Sequence, residues 1–480
     1  MSSRLGAYAC GAGLAGALAV GAFLVSGAGV AGADPATTAG PDVVTAALTT
    51  RTGVFDSPPA RLPNVPGPTP EGVAAALAAP LADPALGAGV VASVMDPNTG
   101  AVLYGTGAGT PTIPASTVKI LSSTAVLENL GADEVLTTTV VQAADGTLIL
   151  VGAGDPQLQR EADGSGASLD LLAARTVQAL QSQADAAAAV SGAPAAPDLP
   201  APAAPPVSAM QVAVDDSLFT GPTTVASWPP SLLAECIVRP ISALAVQPAP
   251  DAPCQPQADP AVAAGEMFAA ELAERGIAVV PGVTRAVVGP TDTRLAAISS
   301  QPVSALVENM MLESDNTAAE MLAHLAGGRA TGQASFTGGA LATTAVMAQL
   351  GIPAAGMSLV DASGLSREDA VPPDTIARTL VTALGQTSAT LWPLASGLPV
   401  AGFDGTLSTR FVTAATAPGR GDVRAKTGTL TGVSALAGQV VTAQGQLLVF
   451  VFITPTAGDT TAARAALDSA ASALAGCGCG

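Results

Sequence analysis

Pro114-Ala115-Ser116-Thr117-Val118-Lys119, followed by an apolar stripe of Ile120, Leu121, Ala125, Val126 and Leu127, decides how this chain is read. The stripe has the period of a buried helix, which predicts a helix starting near Ser116. Three-residue spacing puts Ser116 Oγ and the Lys119 ammonium on one face of it. A nucleophile at that end faces the positive end of the helix dipole. Two of the 18 basic residues are lysines, Lys119 and Lys426, and the other 16 are arginines. Lys426 opens Lys426-Thr427-Gly428-Thr429, predicted to lie on a strand edge. With residues used at roughly 7% each, Ser three before one lysine and Thr-Gly after the other arise by chance about one time in a thousand or less. Chemistry explains the pairing better.

Arginine cannot give up its proton, whereas a buried lysine near another cation can be neutral at working pH and take the proton of a serine hydroxyl. Ser116 and Lys119 thus form a nucleophile-base pair that needs no histidine. Between the two lysines lies Ser314-Asp315-Asn316. The Ser314 hydroxyl is the expected proton relay to the leaving group, the Asn316 amide the expected holder of a substrate carbonyl, and Lys426 polarises the network. Thr427, Gly428 and Thr429 form the strand expected to bind a substrate carboxylate through its two hydroxyls. The backbone N–H groups of Ser116 and Thr429 are the expected oxyanion hole.

Composition narrows the function class. The 480 residues carry 18 Lys+Arg against 37 Asp+Glu, a formal charge of −19, and 11% are charged, against about a quarter in an average soluble protein. No basic run is present, so nucleic acid is not an expected partner. A single histidine, His324, excludes a multi-histidine metal site, and no metal or cofactor is expected. The mean hydropathy of +0.47 owes much to Ala and Gly, and one early stretch is apolar over a membrane-spanning length.

That stretch follows a positive head at Arg4 and ends in Ala31-Gly32-Ala33, the small-x-small form of a signal-peptidase site. Residues 1–33 read as an export signal or a retained membrane anchor, and 34–70, rich in Pro, Ala and Thr, as a disordered tether. Beyond it, 90–95 and 101–104 flank a turn and form a hairpin, as do 137–141 and 147–151 around Asp145-Gly146. Residues 182–206 are too poor in large apolar side chains to pack and read as a flexible excursion. Helices are expected over 263–275 and 305–325, the latter broken at Ser314. A short strand is expected at 278–280. Two long β-rich runs, 434–441 and 446–453, precede a closing helix at 459–474. This order predicts an α/β (α+β) core: an antiparallel sheet flanked by helices, interrupted by a β-rich insertion. Its parts are expected at 71–140 and 296–476, with the insertion at 141–295.

Four cysteines follow the leader, Cys236, Cys254, Cys477 and Cys479. In an oxidising compartment an even number suggests bridges. Cys236 to Cys254 would close a loop worth roughly 3 kcal/mol. Cys477-Gly478-Cys479 fits a local bridge, a metal clip or a tail.

Ser-x-x-Lys at Ser116, Ser-x-Asn at Ser314 and Lys-Thr-Gly at Lys426, in this order, resemble the penicillin-binding proteins and serine β-lactamases. The 198 residues from Ser116 to Ser314 and the 112 from Ser314 to Lys426 are similar to the class C low-molecular-mass penicillin-binding proteins. In that D-alanyl-D-alanine carboxypeptidase/endopeptidase family a transpeptidase-like domain is interrupted between the first two motifs. Gly152-Ala153-Gly154-Asp155-Pro156, Asp361-Ala362-Ser363-Gly364-Leu365-Ser366-Arg367 and Gly402-Phe403-Asp404-Gly405-Thr406-Leu407 look like further family segments. The likeness covers about residues 71 to 474. It implies a penicillin-binding, serine β-lactamase-like fold, a bacterial cell-envelope location, peptidoglycan stem peptides as substrates and β-lactams as covalent inhibitors. It also implies that Arg367 lines the substrate pocket and that Cys236 and Cys254 are bridged. Anionic stem peptides would be captured by the local positive cluster of Arg367, Arg424 and Lys426 against the overall charge.

One segment departs from the family. In relatives an Asp after a Trp-Pro pair receives the amino group of a diaminopimelyl side chain. Here Trp228-Pro229-Pro230 leads to Ser231-Leu232-Leu233-Ala234-Glu235-Cys236, with Leu232 at that position and Glu235 as the candidate replacement.

The expected activity is removal of a terminal D-alanine through an acyl-enzyme on Ser116, with endopeptidase action on cross-links by the same machinery. The alternatives are a β-lactamase and a catalytically silent cell-wall-binding protein. The long insertion and the lack of a Glu-x-x-Leu-Asn pattern after Ser314 count against the first. A deprotonatable lysine beside Ser116 counts against the second. Other candidates read as structural: His324 as a helix histidine, Asp155 as a turn residue, Glu313, Asp315 and Glu320 as solvated or capping, and Trp228 as packing under the insertion.

Overall fold

Residues 433–441 and 447–454 are nearly unbroken apolar runs, the pattern of strands covered on both faces. In the computed structural model they are neighbours inside a five-stranded sheet. The structure describes residues 67–162, 164, 166–191, 209–249, 252–385 and 389–480. The expected export segment at 1–33 and most of the expected tether lie outside them.

In chain order, α1 (Pro70–Ala78) precedes the hairpin β1 (Val91–Met95) and β2 (Val102–Thr106), then α2 (Lys119–Leu130), β3 (Val135–Gln142), β4 (Leu148–Val151), α3 (Leu169–Ser191) and β5 (Met210–Asp215). A short α4 (Ser231–Ala234), α5 (Pro260–Glu274), β6 (Val279–Arg285) and β7 (Thr293–Pro302) follow. The chain continues through α6 (Val303–Glu313), α7 (Asn316–Thr331), α8 (Phe336–Gln349), α9 (Pro373–Leu384) and α10 (Trp392–Ser396). It closes with β8 (Val423–Leu430), β9 (Val433–Val441), β10 (Leu447–Thr454) and α11 (Thr460–Ala475).

The first sheet runs β2-β1-β10-β9-β8 and is antiparallel throughout. Alternation along β10 sends Val449, Val451 and Ile453 into a core shared with Ile120, Leu121, Val307 and Ile376 of α2, α6 and α9. Phe450 and Phe452 go the other way, against Val73, Leu77 and Leu467 of α1 and α11. Their rings stack at 5.1 Å, and full burial of each contributes roughly 2 kcal/mol. β8 is left at the sheet edge, as expected for the Lys-Thr-Gly strand.

The second sheet, β6-β5-β4-β3-β7, mixes antiparallel pairs of β3 with β4 and β7 and parallel pairs of β5 with β4 and β6. α3 and α5 cover it through Leu172, Phe268 and Leu272. The expected boundaries at 140 and 295 fall inside β3 and β7, which pair along their length (Thr139 opposite Ala297). The run from 182, expected as flexible, continues α3 to Ser191. Ala and Gln are strong helix formers and need no packed face to extend a helix already nucleated by Leu169 and Leu172. Residues 192–208 lie outside the described residues.

Trp228, Val238, Ile241 and Ala245 from the segment after β5 pack on Met321 of α7, Phe336 of α8 and Leu365. This small core ties the segment after β5 to the helices around Ser314. At the other end Thr69 N–H donates to Cys479 O at 2.7 Å, and Cys477 is bonded to Cys479. Among the described residues no helix is long and apolar enough to cross a membrane.

Candidate active site

Ser116 lies in a 3-10 turn, Ala115–Val118, from which α2 begins at Lys119. The turn is entered through Ala115 at φ 47, a left-handed conformation that costs a residue with a Cβ about 1 kcal/mol or more. Two glycines make room to hold it. A Cβ on Gly364 (φ +82) would stand 2.0 Å from Ala115 O, and one on Gly428 3.1 Å from Pro114 O. The 361–366 loop and strand β8 therefore close on the Ser116 turn from two sides.

Lys119 Nζ is 3.1 Å from Ser116 Oγ. It also donates to Asn316 Oδ1 at 2.7 Å and to Ser363 O at 2.7 Å. A neutral amine has two N–H groups and one lone pair; the two carbonyl-type acceptors engage both hydrogens, so the lone pair faces Ser116. Burial brings the Lys119 pKa down to about 8, against the pull of Glu320, Asp361 and Asp315. Lys426 is fully buried too and donates to Thr427 O at 3.1 Å. Burial, and then repulsion by Lys119, drives its pKa well below the usual lysine value.

Ser314 occupies the left-handed cap between α6 and α7 (φ 60, ψ 35), and Asp315 caps α7 by accepting from Ala318 N–H at 2.9 Å. The Asn316 amide is held at both ends, since Nδ2 donates to Ile237 O at 2.8 Å. One Nδ2 hydrogen remains for the substrate carbonyl expected there. Ile237 follows Cys236, which is bonded to Cys254 with Cα atoms 5.8 Å apart. Thr427 Oγ1 donates to Thr406 Oγ1 at 3.0 Å, so the 402–407 segment flanks β8. Arg367 is exposed and donates to Thr431 O just past β8.

Glu320 is the main correction. It was expected to be solvated or capping, yet it is 1% exposed and accepts from Ala362 N–H at 3.0 Å and Ser363 N–H at 2.7 Å. Asp361 accepts from Gly364 and Ser366 N–H, both at 2.7 Å, and from Trp228 Nε1 at 2.7 Å. Asp369 accepts from Val360 N–H at 2.7 Å. The loop beneath Lys119 is thus wound around three buried carboxylates. Burial and the neighbouring Asp361 push Glu320 and Asp369 upward from the usual carboxylate range. A signal was present: Glu320 is four residues after Asn316, on the same helical stripe.

His324 continues that stripe. It is buried between Phe219 and Phe336, 5.0 and 4.7 Å away by ring centroid, and burial takes its pKa down to about 4. Asp155 is a buried turn acceptor for Gln157 N–H at 2.9 Å. Leu232 packs against the Trp228 cluster with Leu430, while Glu235 is exposed. Arg464 of α11, not singled out from sequence, donates through Nε to Thr429 Oγ1 at 3.3 Å. Among the described residues no group of three His, Cys, Asp or Glu is set to hold a metal ion.

The chain matches the family model described as D-Ala-D-Ala carboxypeptidase 3 (S13) over residues 73–257 and 252–474. It is 34% identical to carboxypeptidase DacB of Mycolicibacterium smegmatis over 426 residues, 87% of this chain and 86% of that one. It is 32% identical over 428 residues to the D-alanyl-D-alanine carboxypeptidase of an Actinomadura species, covering 76% of this chain and 78% of the relative. The fold is similar to penicillin binding protein 4 of Haemophilus influenzae, with a TM-score of 0.64 and 22% identity over 84% of this chain and 97% of that one. A second structure of the Haemophilus protein is a complex with a β-lactam. A serine-lysine pair beside an antiparallel sheet's edge strand and these matches along nearly the whole described chain agree: the protein belongs to the D-Ala-D-Ala carboxypeptidase 3 (S13) family of serine peptidases.

Proposed function

We propose that this chain removes the terminal D-alanine of peptidoglycan stem peptides, with Ser116 as nucleophile and Lys119 as its base. The observation that carries the reading is the Lys119 environment: two acceptors at 2.7 Å and Ser116 Oγ at 3.1 Å leave the neutral amine's lone pair aimed at the hydroxyl.

Ser116 Oγ attacks the carbonyl carbon of the D-Ala-D-Ala amide as its proton passes to Lys119 Nζ. The oxyanion rests on the Ser116 and Thr429 backbone N–H groups. The C–N bond then breaks, and the leaving D-alanine nitrogen takes a proton through Ser314, drawn from the Lys119 side of the network and sustained by Lys426. Water, deprotonated by Lys119, hydrolyses the ester and restores Ser116. Thr427 and Thr429 hold the substrate carboxylate, with Arg367 at the pocket rim. A cross-link with the same acyl donor and a neighbouring stem's amine as leaving group gives endopeptidase action by the same steps. A β-lactam would acylate Ser116 and keep its leaving nitrogen tethered, so the ester persists.

Peptidoglycan lies outside the cytoplasmic membrane, so the working protein acts in the cell envelope, in keeping with reading residues 1–33 as an export signal or anchor. The transpeptidase-like domain is formed by the first and last parts of the chain around an insertion that carries the second sheet. D-alanine release from a pentapeptide, together with fluorescent-penicillin labelling that disappears in Ser116→Ala, tests the reading. Equal labelling of wild type and Ser116→Ala would sink it. Rapid release of the bound penicillin would favour a β-lactamase instead.

A further inference from the structure

We propose that Glu320 and Asp361 are a pair of positioning residues for the acylation step: they hold between them the residue whose carbonyl orients Lys119, and they supply the counter-charge for the ammonium that Lys119 becomes. The proposal rests on the assignment of Lys119 as the base of Ser116.

Ser363 O accepts from Lys119 Nζ at 2.7 Å. Each of the two N–H groups flanking that carbonyl ends on a carboxylate. Ser363 N–H donates to Glu320 Oε1 at 2.7 Å, and Gly364 N–H donates to Asp361 Oδ1 at 2.7 Å. Gly364 N–H and Ser363 C=O belong to one peptide unit, so the Asp361 contact polarises that unit and makes its oxygen a stronger acceptor for Lys119. The preceding residue is stitched in the same way. Ala362 N–H donates to Glu320 at 3.0 Å, and Ala362 O accepts at 2.9 Å from the hydroxyl of Ser122, three residues beyond Lys119 on α2. Asp361 also receives Ser366 N–H and Trp228 Nε1–H, both at 2.7 Å. Three N–H donors match the ionised carboxylate, which is acceptor-only.

Among the described residues no carboxylate lies within 4.0 Å of Lys119 Nζ. The pair therefore acts across the loop and leaves the amine's lone pair free for Ser116. Burial lowers the Lys119 pKa, and against it Glu320 and then Asp361 exert the largest pull, with Asp315 at the α7 cap behind them. Asp315 also faces buried Arg239. From β8, Lys426 stands close enough to be repelled by Lys119. Two further groups adjoin the pair. Asp369 is pushed up to about 9 by burial and by Asp361, and His324, whose Nδ1 lies 2.8 Å from Glu320 O, is brought down to about 4 by burial, so both are neutral near pH 7. Glu320 is itself pushed upward by burial and by Asp361, so its charge is held best once Lys119 is an ammonium. In acylation the Ser116 O–H bond breaks, its proton forms a third N–H bond on Lys119, and the oxygen's electron pair bonds to the substrate carbonyl carbon. The pair favours the state that this transfer creates.

The test measures the second-order rate of penicillin acylation against pH in wild type, Glu320→Gln and Asp361→Asn. Each near-isosteric variant removes one negative charge, so ammonium formation becomes harder. The inflection should move to lower pH by roughly half a unit to one unit, and the high-pH plateau should fall roughly three- to tenfold. Glu320→Asp keeps the charge and should leave the inflection in place. A residue that only supports the loop would lower the rate without moving the inflection. An inflection that stays or rises in either folded variant overturns the proposal; where one variant does not fold, the other decides. A wild type with no inflection overturns the assignment of Lys119 as base and this proposal with it, whereas a wild-type inflection with unmoved variants overturns this proposal alone.

Discussion

Glu320 accepts the backbone N–H of Ser363 at 2.7 Å, and the carbonyl of that same residue accepts from Lys119 Nζ at 2.7 Å. A carboxylate on α7 thereby aims one of the two acceptors that orient the Lys119 amine. The other acceptor, Asn316 Oδ1, sits one turn earlier on the same helix. α7 thus fixes both hydrogens of the Lys119 amine, one directly and one through the 361–366 loop.

In the proposed mechanism Lys119 serves as base only when neutral, and burial holds its pKa at about 8. Depression of the pKa raises the neutral fraction at a given pH, and that fraction still grows as pH rises. The second-order rate of Ser116 acylation by penicillin should therefore climb about tenfold per pH unit well below that value and level off above it. A profile flat from mildly acidic to mildly basic pH would contradict the assignment.

Lys119→Arg keeps the charge and removes the ability to deprotonate. Acylation should fall on the order of a thousandfold, as read by stopped-flow or gel labelling. A near-native melting temperature in the same variant would show that the loss is chemical. Retention of more than a tenth of the wild-type rate would point to another base.

Gly364→Ala would place a Cβ 2.0 Å from Ala115 O at a φ of +82. Backbone must move on one side of that contact, either the turn that carries Ser116 or the loop that presents Ser363 O to Lys119. Stability should drop by about 2 kcal/mol or more in chemical denaturation, and acylation should drop with it. A variant indistinguishable from wild type would mean that the loop does not press on the Ser116 turn.

Trp228→Phe keeps the edge-on packing on Phe336, now 5.4 Å between centroids, and deletes the Nε1 donor to buried Asp361. An under-satisfied buried acceptor costs about 1–3 kcal/mol, which a shifted urea midpoint would reveal. An unchanged midpoint would assign Trp228 to packing alone, the role expected from sequence.

Cys236→Ser with Cys254→Ser opens the loop beside Ile237, whose carbonyl holds Asn316 Nδ2. Loss of roughly 3 kcal/mol of stability is expected. Penicillin acylation should slow as well, since Asn316 loses one of its two anchors. Full activity in the double variant would separate the bridge from the site.

Much of the fold was legible because its strands are local patterns: the apolar runs of β9 and β10 and the Asp145-Gly146 turn carry their own signals. α8 and α9 were missed. α8, rich in Gly, Ala and Thr from Phe336 to Gln349, shows little contrast between its faces. Ser116, Lys119, Asn316 and Lys426 stand out in the sequence as candidates because three motifs contain them, and the structure brings Asn316 to Lys119 across 197 positions. Glu320 was misread, since three acids near one another in sequence look like a solvated cluster.

The sequence by itself determined which groups could react: a serine and a lysine at helical spacing, no histidine set, and glycines where turns must close. Only the tertiary structure decided their states. Whether an amine is neutral or a carboxylate buried depends on desolvation and on charges within a few ångströms. Those neighbours come from segments that meet only when the chain has folded.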